Sequence, residues 1–261
     1  MKKSLIFLTA LLVFNFSHAQ DKLYLIVELM KVDNTQESDY NETEAFWEKI
    51  HQQRANNGNI IGWDLWRLMP GGENQGHQYA VVTLFNNKTA MFKGGGLWEA
   101  AKAAYPNMSE NELDKKLNSA ADTRDLAVRI YMEMIAATED DFEIDVGTVA
   151  TFDWMKVELG KYSKYEKAEM EVFMPGHQRM VDAGAKGSWS LLRFISPIGS
   201  DTYSSHLTVN MFKDFDQMFA NYEGDGSEMT AAQQKAVEDG LALRDMKFVT
   251  IGQLDRKVRK K

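Results

Sequence analysis

The chain has no cysteine and only 4 prolines among its 261 residues. Without cysteine there can be no disulfide scaffold, thiolate metal centre, cysteine nucleophile or lipidated N-terminal cysteine. Long apolar runs are also missing. The longest, Leu5 to Phe16, is broken at Thr9 and Asn15, and none approaches the ~18 residues a membrane span requires. Positive charge is in deficit, with 30 Lys+Arg against 38 Asp+Glu. Such a surface repels polyanions, which excludes nucleic acid as a partner. Glycine-rich phosphate loops, His-Glu-x-x-His and Gly-x-Ser-x-Gly do not occur.

The composition that remains, 44% hydrophobic and 26% charged, is that of a globular core, with length for one large domain or two small ones. Residues 1–19 read as a signal peptide. Lys2 and Lys3 are followed by the apolar run, and Ser17-His18-Ala19 forms a small-x-small cleavage site. The short basic start has a bacterial character, so the expected location is periplasmic or secreted, with no membrane insertion after cleavage. The mature chain would start at Gln20 with a net charge of −10.

An internal repeat is the strongest signal. A shift of about 126 residues sets Met30-Lys31-Val32 on Met155-Lys156-Val157, Tyr40 on Tyr165, and Trp47-x-x-x-His51 on Phe173-x-x-x-His177. The match continues with Gly58 on Gly184, Trp63 on Trp189, Leu65 on Leu191 and Arg67 on Arg193. Pro70-x-Gly72 falls on Pro197-x-Gly199, Phe85 on Phe212, Met91-Phe92 on Met218-Phe219, and Arg124-Asp125 on Arg244-Asp245.

Each half reads β-α-β-β-α-β. In the first, periodicity predicts strands at 23–32, 60–69, 79–85 and 126–135, and a helix over 42–56 stopped by Asn56-Asn57-Gly58. A second helical region, 89–121, should break at Gly94-Gly95-Gly96 and Pro106. The second half predicts strands near 150–158, 188–195, 205–212 and 245–254, with a kink in its first helix at Pro175-Gly176. The repeats are placed at 20–137 and 148–261. The acidic stretch 138–147 between them reads as a solvated linker, favoured over a calcium loop there or at Glu223–Glu228, because EF-hand spacing is absent.

A four-stranded sheet with both helices on one face leaves its other face bare, and two such units can cover each other. This duplicated β-α-β-β-α-β order resembles the dimeric α/β-barrel (ferredoxin-like) superfamily in its fused form. The expected fold is therefore α+β: two tandem ferredoxin-like repeats packed sheet to sheet as a pseudo-dimeric α/β barrel. The resemblance implies cofactor-independent oxygenation, isomerisation, or haem binding and degradation. It supplies no catalytic signature, and fold alone does not fix function.

Positions shared by both halves are the candidate site residues. His51 and His177 each follow an aromatic by four residues, so ring and imidazole share a helical face. They read either as catalytic acid/base groups or axial haem ligands, or as helix-end histidines stacked on aromatics. Trp63 and Arg67, like Trp189 and Arg193, alternate along one strand face. The arginines could hold an anion beside an aromatic wall, or reach to water from strand ends above core tryptophans. Glu28 and Asp153 are acids inside apolar strands that read as structural ion pairs, with Arg67 and Arg193 as candidate partners, or as general bases at the ligand site. His206, equivalent to Tyr79, would add a polar group to the second site or sit half-exposed. The 15 methionines read as core filling, or as adaptable pocket lining.

The reading that follows is a small-molecule-binding protein for an apolar or aromatic, partly anionic ligand, with two related clefts between helices and sheet. An enzyme of the superfamily's type is the first alternative, and a structural or partner-binding protein the second. No metal is required, and no cofactor, with haem left open by the resemblance.

Overall fold

The computed structural model describes residues 22–69, 76–222 and 229–261. The signal-peptide reading, the Pro70-x-Gly72 turn and the calcium-loop reading at 223–228 lie outside the described residues. Eight strands are formed: β1 (Tyr24–Lys31), β2 (Gly62–Met69), β3 (Tyr79–Phe85), β4 (Asp125–Ala137), β5 (Val149–Val157), β6 (Ser188–Ser196), β7 (His206–Phe212) and β8 (Arg244–Arg259). They close into one antiparallel barrel in the order β1-β3-β2-β8-β5-β7-β6-β4. Among the described residues no helix is long and apolar enough to cross a membrane.

Alternation along each strand gives the barrel two apolar surfaces. Leu25, Val27 and Leu29 of β1, Ala80 and Val82 of β3, and Phe152 and Trp154 of β5 face inward with Trp66, Leu192 and Val209. The other parity, including Trp63, Leu65, Val81 and Phe85, faces the helices. Gly252 makes room inside: a Cβ there would lie 2.7 Å from the Phe152 ring.

Register and bulges coincide between the halves. Leu29 pairs with Val128 and Met30 with Leu126, skipping one residue. The equivalent Trp154 pairs with Phe248 and Met155 with Met246. The seams joining the halves match as well: β2 meets β8 at Leu65–Arg256 and Trp66–Leu254, and β6 meets β4 at Leu191–Ala136 and Leu192–Met134. Such bulges locally increase the twist of a strand pair. The closing strands run longer than the expected 126–135 and 245–254 because each pairs first with its own half and then with the other.

The first long helix, α1 (Glu37–Asn56), is followed in the first half by α2 (Lys88–Lys93), α3 (Leu97–Ala104) and α4 (Glu110–Asn118). Breaks fall at the glycine run and at Pro106, where the sequence places them. Gly94 ends α2 in the left-handed conformation, at φ 63°. Ser109 and Glu112 form a reciprocal cap at the start of α4.

In the second half, α5 (Tyr162–Ala168) leads through a π-helical turn, Glu169–Phe173, into α6 (Met174–Asp182). This turn ends just before Pro175-Gly176, the expected kink site, and Pro175 sits in the first turn of α6. The cause of the π turn is one inserted residue: the offset between matched positions grows from 125 at Tyr40/Tyr165 to 126 at Trp47/Phe173. A π turn absorbs a single insertion while keeping the following side chains in phase. α7 (Phe215–Tyr222) and α8 (Ala231–Leu241) complete the half.

Residues 138–147 are only partly a solvated linker. Asp141, Glu143 and Asp145 are exposed as expected, but the intervening Phe142 and Ile144 are half-buried and line the barrel interior. A Cβ on Gly187 would come within 2.5 Å of the Phe142 ring, so that glycine seats it.

Candidate functional site

α1 buries an unusual stripe. Its inward positions at helical spacing include Tyr40, Glu44, Ile50, His51, Arg54 and Ala55, so the face against the sheet is part apolar and part ionisable. Burying such groups is costly unless they are paired or used. They enclose, with β1, β2, β3 and the start of β4, a cleft of about 340 Å³. Its walls include Trp47, Trp63, Phe92 and Tyr131, the last two stacked at 4.6 Å between centroids.

His51 is 8% exposed and sandwiched between Trp63 (5.1 Å, 15°) and Trp47 (5.9 Å, 27°). Its Nδ1 lies 3.1 Å from Nη1 of Arg54. A guanidinium only donates, so Nδ1 accepts and Nε2 carries the ring proton. Burial, reinforced by Arg54 and Arg124, pushes its pKa well below the usual histidine range; the ring is neutral at pH 7.

Arg54 is only 6% exposed. Burial lowers it to about 10, with Glu28 pulling the other way, so it stays charged at neutral pH. Among the described residues no carboxylate forms an ion pair with it, and its Nε, like Nε1 of Trp47 and of Trp63, is buried without an acceptor. The cleft therefore holds an excess of donors. Glu44, 1% exposed, is paired with Arg124, yet burial outweighs that cation and raises its carboxyl to about 7. Glu28 is paired with Arg129 at 2.7 Å.

The second half differs. His177 stacks on Trp189 at 5.0 Å and 13°, as His51 does on Trp63. In place of Arg54 the matched position holds Met180, and in place of Arg129 it holds Val249. Instead, the buried Lys186 ammonium reaches His177 Nδ1 (2.9 Å) and Asn210 Oδ1 (2.7 Å). Asn210 donates in turn to Asp153 Oδ2 at 3.0 Å. Burial raises Asp153, lowers Lys186 to about 8 and lowers His177 to about 3, the last with help from Lys186. Here the buried cation is engaged by two side-chain acceptors, and Asp153 Oδ1 is the buried atom left without a partner.

Two sequence expectations are corrected. Arg67 and Arg193 are not the partners of Glu28 and Asp153, and they do not line the cleft. Arg67 is exposed and contacts Gln253. Arg193 is held by Glu166 at 3.0 Å and by Glu133. The acids find other groups because strand register sets Glu28 beside Arg129 and Asp153 beside Thr208. His206 is fully buried rather than half-exposed. Its Nε2 donates to Glu166 (3.1 Å) and its Nδ1 faces Ser205 Oγ (3.0 Å). Burial lowers its pKa against the pull of Glu166.

Glu44, Arg54, Arg124 and Arg129 complete a site that sequence reasoning only partly located. A signal for Glu44 existed, since Tyr40-x-x-x-Glu44 repeats as Tyr165-x-x-x-Glu169. Arg54 had none among shared positions.

The histidines do not fit a haem iron. An axial imidazole offers one nitrogen lone pair to the metal while its other nitrogen donates a proton outward. At His51 the lone pair on Nδ1 is taken by Arg54, and at His177 the same nitrogen faces the Lys186 ammonium. No cluster of three or more metal-ligating side chains occurs among the described residues.

The barrel and its helices define the class: the fold is that of the dimeric α/β-barrel proteins. The chain is similar to an anthrone oxidase-like protein (TM-score 0.60, 11% identity, 92% of this chain and 94% of that one). It is also similar to a candidate monooxygenase from Lactobacillus acidophilus (0.57, 11%, 92% and 97%) and to a candidate chlorite dismutase (0.50, 11%, 90% and 95%). At these identities the likeness is one of fold. No family model matches the sequence, and no curated protein matches it.

Proposed function

We propose that the chain is a tandem repeat, exported by its N-terminal segment, whose first half binds a small aromatic molecule carrying an anionic or enolic oxygen. The repeat rests on the shared registers and bulges; export rests on residues 1–19 alone. The observation that carries the ligand reading is Arg54, a buried cation without a carboxylate partner, beside aromatic walls and unsatisfied indole N–H groups. An oxyanion would take these donors, and a flat ring would fill the space between Trp47 and the Phe92–Tyr131 pair.

Catalysis is the second reading, favoured by Glu44. A buried carboxyl near pH 7 can exchange a proton with a phenol or an acidic C–H, while Arg54 stabilises the resulting oxyanion. The candidate monooxygenase and anthrone oxidase-like neighbours agree with such chemistry. His51 then positions Arg54 rather than carrying the proton.

Thermal unfolding with 1-naphthoate tests the binding reading: the ligand should raise the Tm of the wild type. In Arg54→Met the naphthoate effect should vanish while the protein stays folded, because removing an uncompensated buried charge relieves strain. Equal stabilisation of wild type and variant would sink the proposal.

A further inference from the structure

A cavity of about 480 Å³ lies not in the helix–sheet cleft but in the barrel interior. It lies on the opposite face of the same strands. Leu29, Leu68, Trp154 and Leu207 close one end and are buried. At the other end Leu84, Met134 and Met211 are only half-buried, and Phe142 and Ile144 of the connecting segment reach in. The void persists because the two halves fill the barrel unequally. β5 contributes Phe152 and Trp154 where β1 has Val27 and Leu29, whose register partners on β3, Val82 and Ala80, are small.

We infer that this interior is a second ligand site, for a neutral, largely apolar molecule bearing a hydrogen-bond-accepting oxygen. Three observations carry it. The wall is mostly aliphatic and aromatic, so water inside would find few partners, and an apolar cavity of only ~150 Å³ already takes up benzene. No lysine or arginine lines the space among the described residues, whereas Asp64, Glu139 and Asp140 do. Asp64 is already neutralised by Arg259, at 2.6 and 3.0 Å. The basic side chain that does line it, His77, has its pKa lowered by burial, so a carboxylate or sulfate head would meet the acids with no lysine or arginine to offset them. Finally, Trp154 lines the cavity, is 5% exposed, and its Nε1–H has no acceptor; a hydroxyl or carbonyl oxygen would supply one.

The two sites thus select opposite ligands, an aromatic anion outside the barrel and a neutral apolar molecule within it. The test uses N-phenyl-1-naphthylamine, a neutral fluorescent probe, on the mature protein. One equivalent should bind with sensitised emission from the tryptophans, and Trp154→Phe should reduce that sensitisation. 1-Dodecanol should displace the probe at least tenfold better than laurate at pH 7.5. Val82→Phe, or Val209→Phe should the first fail to fold, should weaken probe binding at least tenfold. Arg54→Met should leave it unchanged. Laurate competing as well as dodecanol would overturn the neutral class. Probe binding lost in Arg54→Met, or kept in a folded cavity-filled variant, would place the probe elsewhere and overturn the site.

Discussion

Between pH 4.5 and 7 the wild type is expected to lose about 3 kcal/mol of stability relative to Glu44→Gln, at roughly 1.4 kcal/mol per pH unit. The cause is the Glu44 carboxyl, which burial moves from its ordinary value of 4.5 up to about 7. In that window the folded state holds a proton that the unfolded chain has released, so rising pH favours unfolding. The contribution is fully present below pH 4.5 and gone above about 7. Histidines add to either curve taken by itself: His51 and His177 are held neutral by burial and oppose folding as pH falls through 6.5. They act equally in both proteins, so the difference isolates Glu44. Urea unfolding across pH 4.5–8 measures it. A flat difference would mean that Glu44 titrates as an ordinary surface carboxyl and holds no proton for exchange at neutral pH.

Trp63→Ala and Trp189→Ala should each cost about 3–5 kcal/mol, the usual range for deleting a fully buried large aromatic. Both indoles are essentially inaccessible and each carries a stacked imidazole. The two losses should be similar, because each tryptophan occupies the same place between sheet and helix. Their functional consequences should differ. Trp63→Ala should also abolish stabilisation by 1-naphthoate, whereas Trp189→Ala, in the half with Met180 in place of Arg54, should leave it intact. Chemical denaturation of both variants, with and without ligand, reads the two effects separately.

The strands and the helix breaks were legible in the sequence because they are written in side-chain period and in glycine and proline. The Leu25-Val27-Leu29 alternation, the helix breaks at Gly94 and Pro106, and the paired Trp63 and Trp189 all lie where the pattern puts them. The one-residue slip between Tyr40 and Trp47 was visible too, but a sequence offset does not say whether a loop or a helix absorbs it. Site chemistry was less accessible. Choosing residues shared by both halves selected Trp63, Trp189, His51 and His177, which support the structure twice. It passed over Arg54, whose twin is Met180, because a residue present in one half alone leaves no repeated mark. Arg67 and Arg193 did repeat, yet strand register sends the first to Gln253 and the second to Glu133. The barrel cavity depends on how side chains of different size meet across the interior, which no local pattern encodes.

The most direct measurement of the central claim is a crystal structure of the mature protein with 4-bromo-1-naphthoate, located by anomalous scattering from bromine. The carboxylate should lie within hydrogen-bonding distance of the Arg54 guanidinium, with the rings beside Trp47 in the first-half cleft. Bromine found at His177, at Arg67, inside the barrel, or nowhere at saturating ligand would contradict the account.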